Sequence, residues 1–281
     1  SADRRDPFRT TTYGTGELIR AALDAGLRRL IIGIGGSATN DGGAGMARAL
    51  GARFLDDDER ELPEGGLALT GLSRIELTQL DTRLNETEIV VACDVDNPLC
   101  GRRGASAIFG PQKGATPDGV ELLDRALANY AEHAKETTGR DVAGLPGAGA
   151  AGGLGAGLLF FTGARLRPGV EIVLDAVGFS DLARTADFVI TGEGRTDYQT
   201  AYGKAPVGVA RAAKAVGVPV FCLSGALGEG ADDVLAHGID ATLAICDKPM
   251  TLEECMRDAD KLIESSTARL CRIIKAARGG G

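Results

Sequence analysis

Phe188-Val-Ile-Thr-Gly-Glu-Gly-Arg-Thr-Asp197 is the stretch that decides the fold. Phe188 to Thr191 reads as a short apolar strand, stopped by Gly192 and Gly194. Downstream, Lys204 to Val216 reads as a helix, Val218 to Leu223 as a strand and Glu229 to His237 as a helix. Ala241 to Cys246 is then a strand and Leu252 to Ala277 a long helix. Strands that alternate with helices predict a parallel sheet with right-handed crossovers and a three-layer, Rossmann-like architecture. The regular pattern begins near residue 180, so the expected division is 1–180 and 181–281.

Upstream the pattern is looser. Glu17 to Ala25 reads as a helix stopped by Gly26, and Leu30 to Ile34 as a fully apolar strand. That strand feeds a loop dense in glycine, Gly33 to Gly45, and then a helix over Ala44 to Leu50. Arg53 to Leu62 reads as a hairpin around Asp56-Asp57-Asp58, and Glu88 to Cys93 as a second apolar strand. Thr116-Pro117 opens a helix, with an N-cap hydroxyl and a proline at the first helical position. Val120, Leu123, Leu127, Tyr130 and Ala134 give that helix one apolar face. The expected fold class is α/β, with two α/β domains and a cleft between them.

Composition narrows the function. The chain has 41 glycines in 281 residues, about twice the typical ~7%, so the places where glycine clusters are the places to search. A net charge of −8 and 4% aromatics exclude a broad phosphate-backbone face and a base-stacking platform, so no nucleic acid is expected. No apolar run approaches the ~18 residues of a membrane span. The six cysteines form no CxxC pair and read as reduced thiols of a cytoplasmic protein.

Five motifs carry chemistry. Gly33-x-Gly35-x-x-Ala38 follows a strand and matches the dinucleotide pattern. Asn40-Asp41-Gly42-Gly43 stands where that motif needs helix, and glycine there costs about 1 kcal/mol per residue. The loop therefore reads as a polar cradle. Backbone amides of Gly35 and Gly36, with Ser37, Thr39 and Asn40, could grip an anion or a polyol, with Asp41 at a helix N-terminus. A tight turn with ordinary caps is the alternative. Glu193, Arg195 and Asp197 alternate along a loop freed by glycines at a strand's carboxyl end, a pattern suited to Mg²⁺ and phosphate. A solvated surface ion pair is the alternative. Asp94 and Asp96 fall on one side of a strand end with Asn97, and could hold a cation or hydroxyls, or simply form an Asn-Pro turn. Lys113 in Gly110-Pro-Gln-Lys-Gly114 could serve as a point charge for phosphate, although most such lysines are only exposed. Gly147 to Gly157 reads as a small-residue helix face for close packing, with a first turn that could also hold an anion.

Together these segments resemble the bacterial glycerate kinases. The resemblance rests on Arg9 to Leu18, Gly33 to Gly43, Cys93 to Leu99, Phe109 to Ala115, Gly147 to Gly157, Thr191 to Arg195 with Asp197 and Gln199, and Gly203 to Pro206, in that order. It implies ATP-dependent phosphorylation of D-glycerate at the 2-hydroxyl, with Mg²⁺, and the 3-hydroxyl as the close alternative. Family members open with further segments not found in this sequence. The resemblance therefore implies that an N-terminal block, part of the sheet of the second domain, is absent. A product of these residues alone is then expected to be inactive or weakly active, with an unpaired edge on the strand at Phe188 to Thr191. On that reading Asp197 is the expected base, Arg195 steadies the transferring phosphoryl, and Glu193, with Asp197, is the expected Mg²⁺ ligand. Gly35, Gly36, Ser37, Thr39, Asn40, Asp41, Asp94, Asn97 and Lys113 are expected to line the glycerate or phosphate side. A homodimer stays open. The competing readings are an NAD-dependent oxidoreductase, from the glycine pattern at Gly33, and a non-catalytic hydroxy-acid binder.

Overall fold

The computed structural model describes residues 5–279. The chain divides into two compact units, Ser1–Gly169 and Val170–Gly281.

The first unit holds α1 (Tyr13–Asp24), β1 (Arg29–Gly33), α2 (Ala44–Ala49), β2 (Arg53–Leu55), β3 (Arg74–Glu76), β4 (Glu88–Ala92), α3 (Ala105–Phe109), α4 (Pro117–Thr138), α5 (Ala150–Phe161) and β5 (Arg165–Arg167). β1, β4 and β5 form a parallel sheet with β4 central, Ile31 opposite Val90 and Val91 opposite Leu166. Ile89 and Val91 of β4 pack with Ile19 and Leu23, one helical turn apart on α1, and with Leu154 and Leu158 on α5. A second core gathers Phe54, Tyr130, Phe160 and Phe161, whose rings meet edge-on or tilted at about 6 Å. α4 behaves as its sequence predicts: Thr116 Oγ1 accepts the Gly119 amide, Pro117 opens the helix, and Leu123, Leu127, Tyr130 and Ala134 are buried. The hairpin at Asp56 is real but small. Leu55 bridges Glu61, while the main partner of β2 is β3, whose three residues carry no alternation long enough to read.

The second unit holds the rest of α6 (Gly169–Ala176), then α7 (Phe179–Arg184), β6 (Val189–Thr196), α8 (Ala205–Lys214), β7 (Val220–Leu227), β8 (Ala241–Ala244), α9 (Leu252–Arg257) and α10 (Ala259–Ala277). Its sheet runs β6-β7-β8, all parallel. Along β7, Val220 and Cys222 pack with Val207 and Ala210 of α8. Phe221 and Leu223 face the other way, toward Leu262 and Leu270 of α10. Strand alternation thus yields the expected three layers. Among the described residues β6 is paired on one side only, with β7.

Four expectations need correction. Residues 170–180 belong with the second unit, because Val170 packs on Gly208 of α8 and Phe179 joins the core under it. Ala231–His237 is 3₁₀ rather than α-helical. The long C-terminal helix is broken at Asp258 into α9 and α10, and α9 is closed by a capping box between Thr251 and Glu254. Gly192 to Thr196 is not a loop. It continues β6, with Glu193 opposite Ser224 and Arg195 opposite Ala226.

Candidate active site

The cradle of the first unit is a small cavity of about 310 Å³ beyond the carboxyl ends of β1 and β4. Gly35, Gly36, Ser37, Asp94 and Lys113 line it, together with Ala150 and Ala151 at the start of α5. No atom stands within 4 Å of where a Cβ would be at Gly35 or Gly36, so their backbone is open to a ligand. Thr10 fixes the loop from behind by donating to the Ala38 carbonyl at 2.8 Å.

Lys113 is 3% exposed. Its Nζ donates to the Thr39 carbonyl at 2.7 Å, which uses one of three donors. Burial pulls its pKa down to about 8, against the opposing pull of the Asp41 charge. A buried ammonium with one of its three donors used, beside open glycine backbone, suits an anion. Asp94, on the same wall, accepts the Gly169 amide at 2.8 Å through Oδ1.

Four residues expected on this wall turn away from it. Asp41 is 1% exposed and lies beneath the loop. Its carboxylate accepts from the Thr12 amide at 2.7 Å, the Thr12 hydroxyl at 2.8 Å, the Gly43 amide at 3.1 Å and the Gly45 amide at 3.2 Å. Burial pushes its pKa up while those bonds pull it down. Asn40 is buried too, with Nδ2 donating to Ser106 at 2.9 Å. Thr39 contributes its carbonyl to Lys113, and its hydroxyl turns to Ala151. Asn97 donates to the Arg103 carbonyl at 2.8 Å and stays in its own turn. The paired-aspartate reading fails as well. β4 ends at Ala92, so alternation stops before Asp94, and Asp96 pairs instead with Arg103 at 2.8 Å.

The glycine clusters have a second use. Gly42 donates its amide to the Gly152 carbonyl at 3.0 Å. A Cβ at Gly43 would lie 2.9 Å from the Gly157 Cα, and one at Gly153 would lie 2.8 Å from the Gly42 Cα. Ala151, Gly152 and Gly153 have φ of 54°, 70° and 89°, so α5 opens on a left-handed turn wrapped around the cradle loop. These glycines meet other backbone, not a ligand.

In the second unit a charged group gathers at the carboxyl end of β6. Glu193 Oε1 accepts from the Thr200 hydroxyl at 2.7 Å and the Thr196 hydroxyl at 3.0 Å. Thr196 is itself 2.6 Å from the buried Ser224 hydroxyl. Asp197 follows, its side chain 17% exposed, with Arg195 Nε at 3.5 Å and Lys204 Nζ at 3.8 Å. The Gln199 amide donates to Asp197 Oδ1 at 3.0 Å and fixes its orientation. Three of these residues were legible as a motif. Thr196 and Lys204 stood in quoted stretches without a role, and Thr200 and Ser224 were not singled out. The signal for Lys204 is its place between Gly203, at φ 104°, and the proline-led first turn of α8.

A cleft of about 1100 Å³ lies under α9 and α10, and Glu193 and Arg195 also line it. Ile190, Leu223, Ile245 and Met256 make it apolar, with bare backbone at Gly192, Gly194 and Gly225.

The donor set limits how Mg²⁺ could be held. No group of three or more metal-ligating side chains exists among the described residues. Mg²⁺ commonly takes only one or two carboxylates and fills its shell with phosphate oxygens and water. Glu193 fits that use, since its two hydroxyl partners hold one oxygen and leave the other without a protein donor among the described residues. Asp197 fits poorly, because Arg195 and Lys204 stand beside it.

Fold and site together define an α/β protein with polar groups at the carboxyl ends of parallel strands, where such sheets take their ligands. The chain belongs to the glycerate kinase family, whose model matches residues 1–275. It is 50% identical over 281 residues to the glycerate 2-kinase of Escherichia coli K12, spanning all of this chain and 74% of that protein. It is 51% identical to a glycerate kinase of Halalkalibacterium halodurans, over 96% of this chain and 71% of the relative. A crystal structure from Salmonella typhimurium LT2, provisionally named glycerate kinase 2, superposes with a TM-score of 0.81 at 48% identity. That match covers 99% of this chain and 72% of the other. The family removes the NAD reading, and the structure shows why the glycine pattern misleads: the next helix starts at Ala44, too late to aim its N-terminus at a pyrophosphate held by Gly33 and Gly35.

Proposed function

We propose that this chain phosphorylates D-glycerate at its 2-hydroxyl, with ATP as donor, giving 2-phosphoglycerate. The observation that carries the chemistry is the oriented carboxylate of Asp197 with two cations within 4 Å. In that role Asp197 takes the hydroxyl proton as the glycerate oxygen attacks the γ-phosphorus and the bond to the leaving ADP oxygen breaks. A base so placed is worth about 10²–10⁴ in rate. Neither Arg195 nor Lys204 is closed tightly on Asp197, so both remain available to charge that builds on the transferring phosphoryl. Glu193 would hold Mg²⁺, which when bound neutralises phosphate charge.

The cradle at Gly35, Gly36, Ser37, Asp94 and Lys113 is proposed to bind glycerate or phosphate through backbone amides and the Lys113 ammonium. No helix among the described residues is long and apolar enough to cross a membrane. All six cysteines are free. With ATP as substrate, that supports a cytoplasmic setting.

The test is a coupled assay with ATP, Mg²⁺ and D-glycerate, run beside the Escherichia coli relative, with calorimetric titration of the same samples. Expected are binding of both substrates and ADP release that requires D-glycerate and is weak beside that of the relative. A chain that neither binds both nor releases ADP refutes the proposal. Feeding the product to enolase decides regiochemistry, since direct conversion marks 2-phosphoglycerate and its absence favours the 3-hydroxyl.

A further inference from the structure

Cys246 and Cys255 come from different elements and meet under the apolar cleft of the second unit. Cys246 lies just past β8, beyond the carboxyl end of a parallel strand, and Cys255 lies within α9. Their Sγ atoms are 2.8 Å apart. Cys246 is half-buried on the wall of the open cleft, and its thiol also points to the Gly225 carbonyl at 3.4 Å. Cys255 is 9% exposed. The other four thiols have different surroundings: Cys222 contacts hydroxyls, Cys93 contacts a carbonyl, Cys100 is held protonated by burial, and Cys271 is exposed.

We infer that Cys246 and Cys255 form an oxidisable dithiol site, which a peroxide converts to a disulfide that ties α9 to the end of β8. The inference rests on the side-chain geometry and on no reading of the phosphoryl transfer. Both sulfurs border the cleft, and Cys246 is the attacking one because it is the more exposed of the two. Its thiolate attacks one peroxide oxygen, the O–O bond breaks, and hydroxide leaves with the thiol proton as water, giving a sulfenic acid. The Cys255 sulfur then attacks the sulfenic sulfur. The S–O bond breaks, and a second hydroxide leaves with the Cys255 proton as water. Two electrons pass from the two thiols to one peroxide. The hydrogen bond to Cys246, and then burial, push the Cys255 thiol up, so it keeps its proton until the sulfenic acid forms.

The anchor is placed to matter mechanically. α9 has only six residues and is held by its Thr251–Glu254 capping box, while Leu252 and Met256 are 76% and 71% exposed. It has little apolar burial to keep it on the sheet, and a covalent link would replace that missing support.

The experiment treats the full chain with a small excess of hydrogen peroxide, alkylates remaining thiols and digests with a protease that cuts before aspartate. Cleavage before Asp247 separates the two cysteines, so the bond appears as a linked pair of peptides, 240–246 with 247–257. Expected is that linked pair, reversed by dithiothreitol. Amide exchange over 252–257 should also slow by about tenfold or more in the oxidised form. The exposed Cys271 is the internal control. Oxidation of Cys271 with Cys246 and Cys255 still unlinked overturns the site. A linked pair with unchanged exchange over α9 overturns the anchoring. Cys255→Ser should leave Cys246 to stop at sulfenic acid, trapped by dimedone, and a linked peptide from Cys246 to another cysteine in that variant would equally count against the pairing.

Discussion

Asp41 and Asp197 both stand beyond the carboxyl end of a parallel strand in glycine-rich sequence, yet they are held in opposite ways. Asp41 in the first unit is 1% exposed, with four donors on its carboxylate. Asp197 in the second has a partly open side chain, one backbone donor and two loosely placed cations. A saturated, buried carboxylate can only hold backbone in place. A carboxylate with spare acceptor capacity can take a proton from something else. Identical residue types at like positions therefore serve structure in one unit and chemistry in the other, and what separates them is how many donors the fold supplies.

That contrast can be broken most directly at Asp197. Asp197→Asn should lower kcat by about 10²–10⁴ with little change in the KM for glycerate, and should leave stability almost untouched. A variant with normal kcat ends its role as base. Asp41→Ala should do the reverse. Leaving its buried donors unmatched should cost at least about 3 kcal/mol, seen as a lower urea midpoint at unchanged m. A loss below about 1 kcal/mol would mean that the carboxylate is not the anchor described.

Lys113 lies between these extremes. Lys113→Met should weaken glycerate or phosphate binding roughly ten- to a hundredfold, the worth of one charge-assisted hydrogen bond. With its pKa lowered to about 8, Lys113 is charged below that value and neutral above it. Anion affinity should therefore fall as pH rises through about 8, and Lys113→Met should remove that step. Stability should move the other way: above pH 8 and up to the ordinary lysine value of 10.5, the unfolded chain binds a proton that the folded chain does not, so stability rises with pH there. An affinity flat across pH 8 in the parent protein would take Lys113 out of the anion site. The smallest effect belongs to Asp96→Ala, which breaks an exposed pair with Arg103. It should cost under about 1 kcal/mol and leave anion affinity unchanged. A clear loss of cation or anion binding would restore the paired site of Asp94 and Asp96.

How much of this was legible depends on the range of the forces involved. Thr116-Pro117 and the apolar face of α4 could be read because capping and helical spacing are local. The parallel sheet of the second unit followed from alternation and crossover rules. Three residues of the charged group were visible as a motif, but their placement in a strand was not. Glycines at 192 and 194 argue locally for a loop, and the ladder to β7 overrides them. Asp41 and Asn40 were misplaced for a related reason. Polar residues after a strand look open to solvent until Thr12, Ser106 and the turn of α5, distant in sequence, close over them. Lys204 was passed over because Gly203 to Pro206 entered only as one stretch of the resemblance, and nothing local to it says that its ammonium reaches Asp197.

The interlock of the cradle loop with α5 also sets a clock. Tyr130 donates to the Gly42 carbonyl across 88 residues, Lys113 to Thr39 across 74, and Thr39 reaches Ala151 across 112. Closing loops of that length is slow compared with forming α4 or any single helix. The cradle can take its shape only after most of the first unit has assembled, so it is a late event in folding. An anion that binds it binds the finished unit and not its precursors, and raises the melting temperature by mass action. For this chain, a thermal shift on adding ligand would report that folding of the first unit has gone to completion.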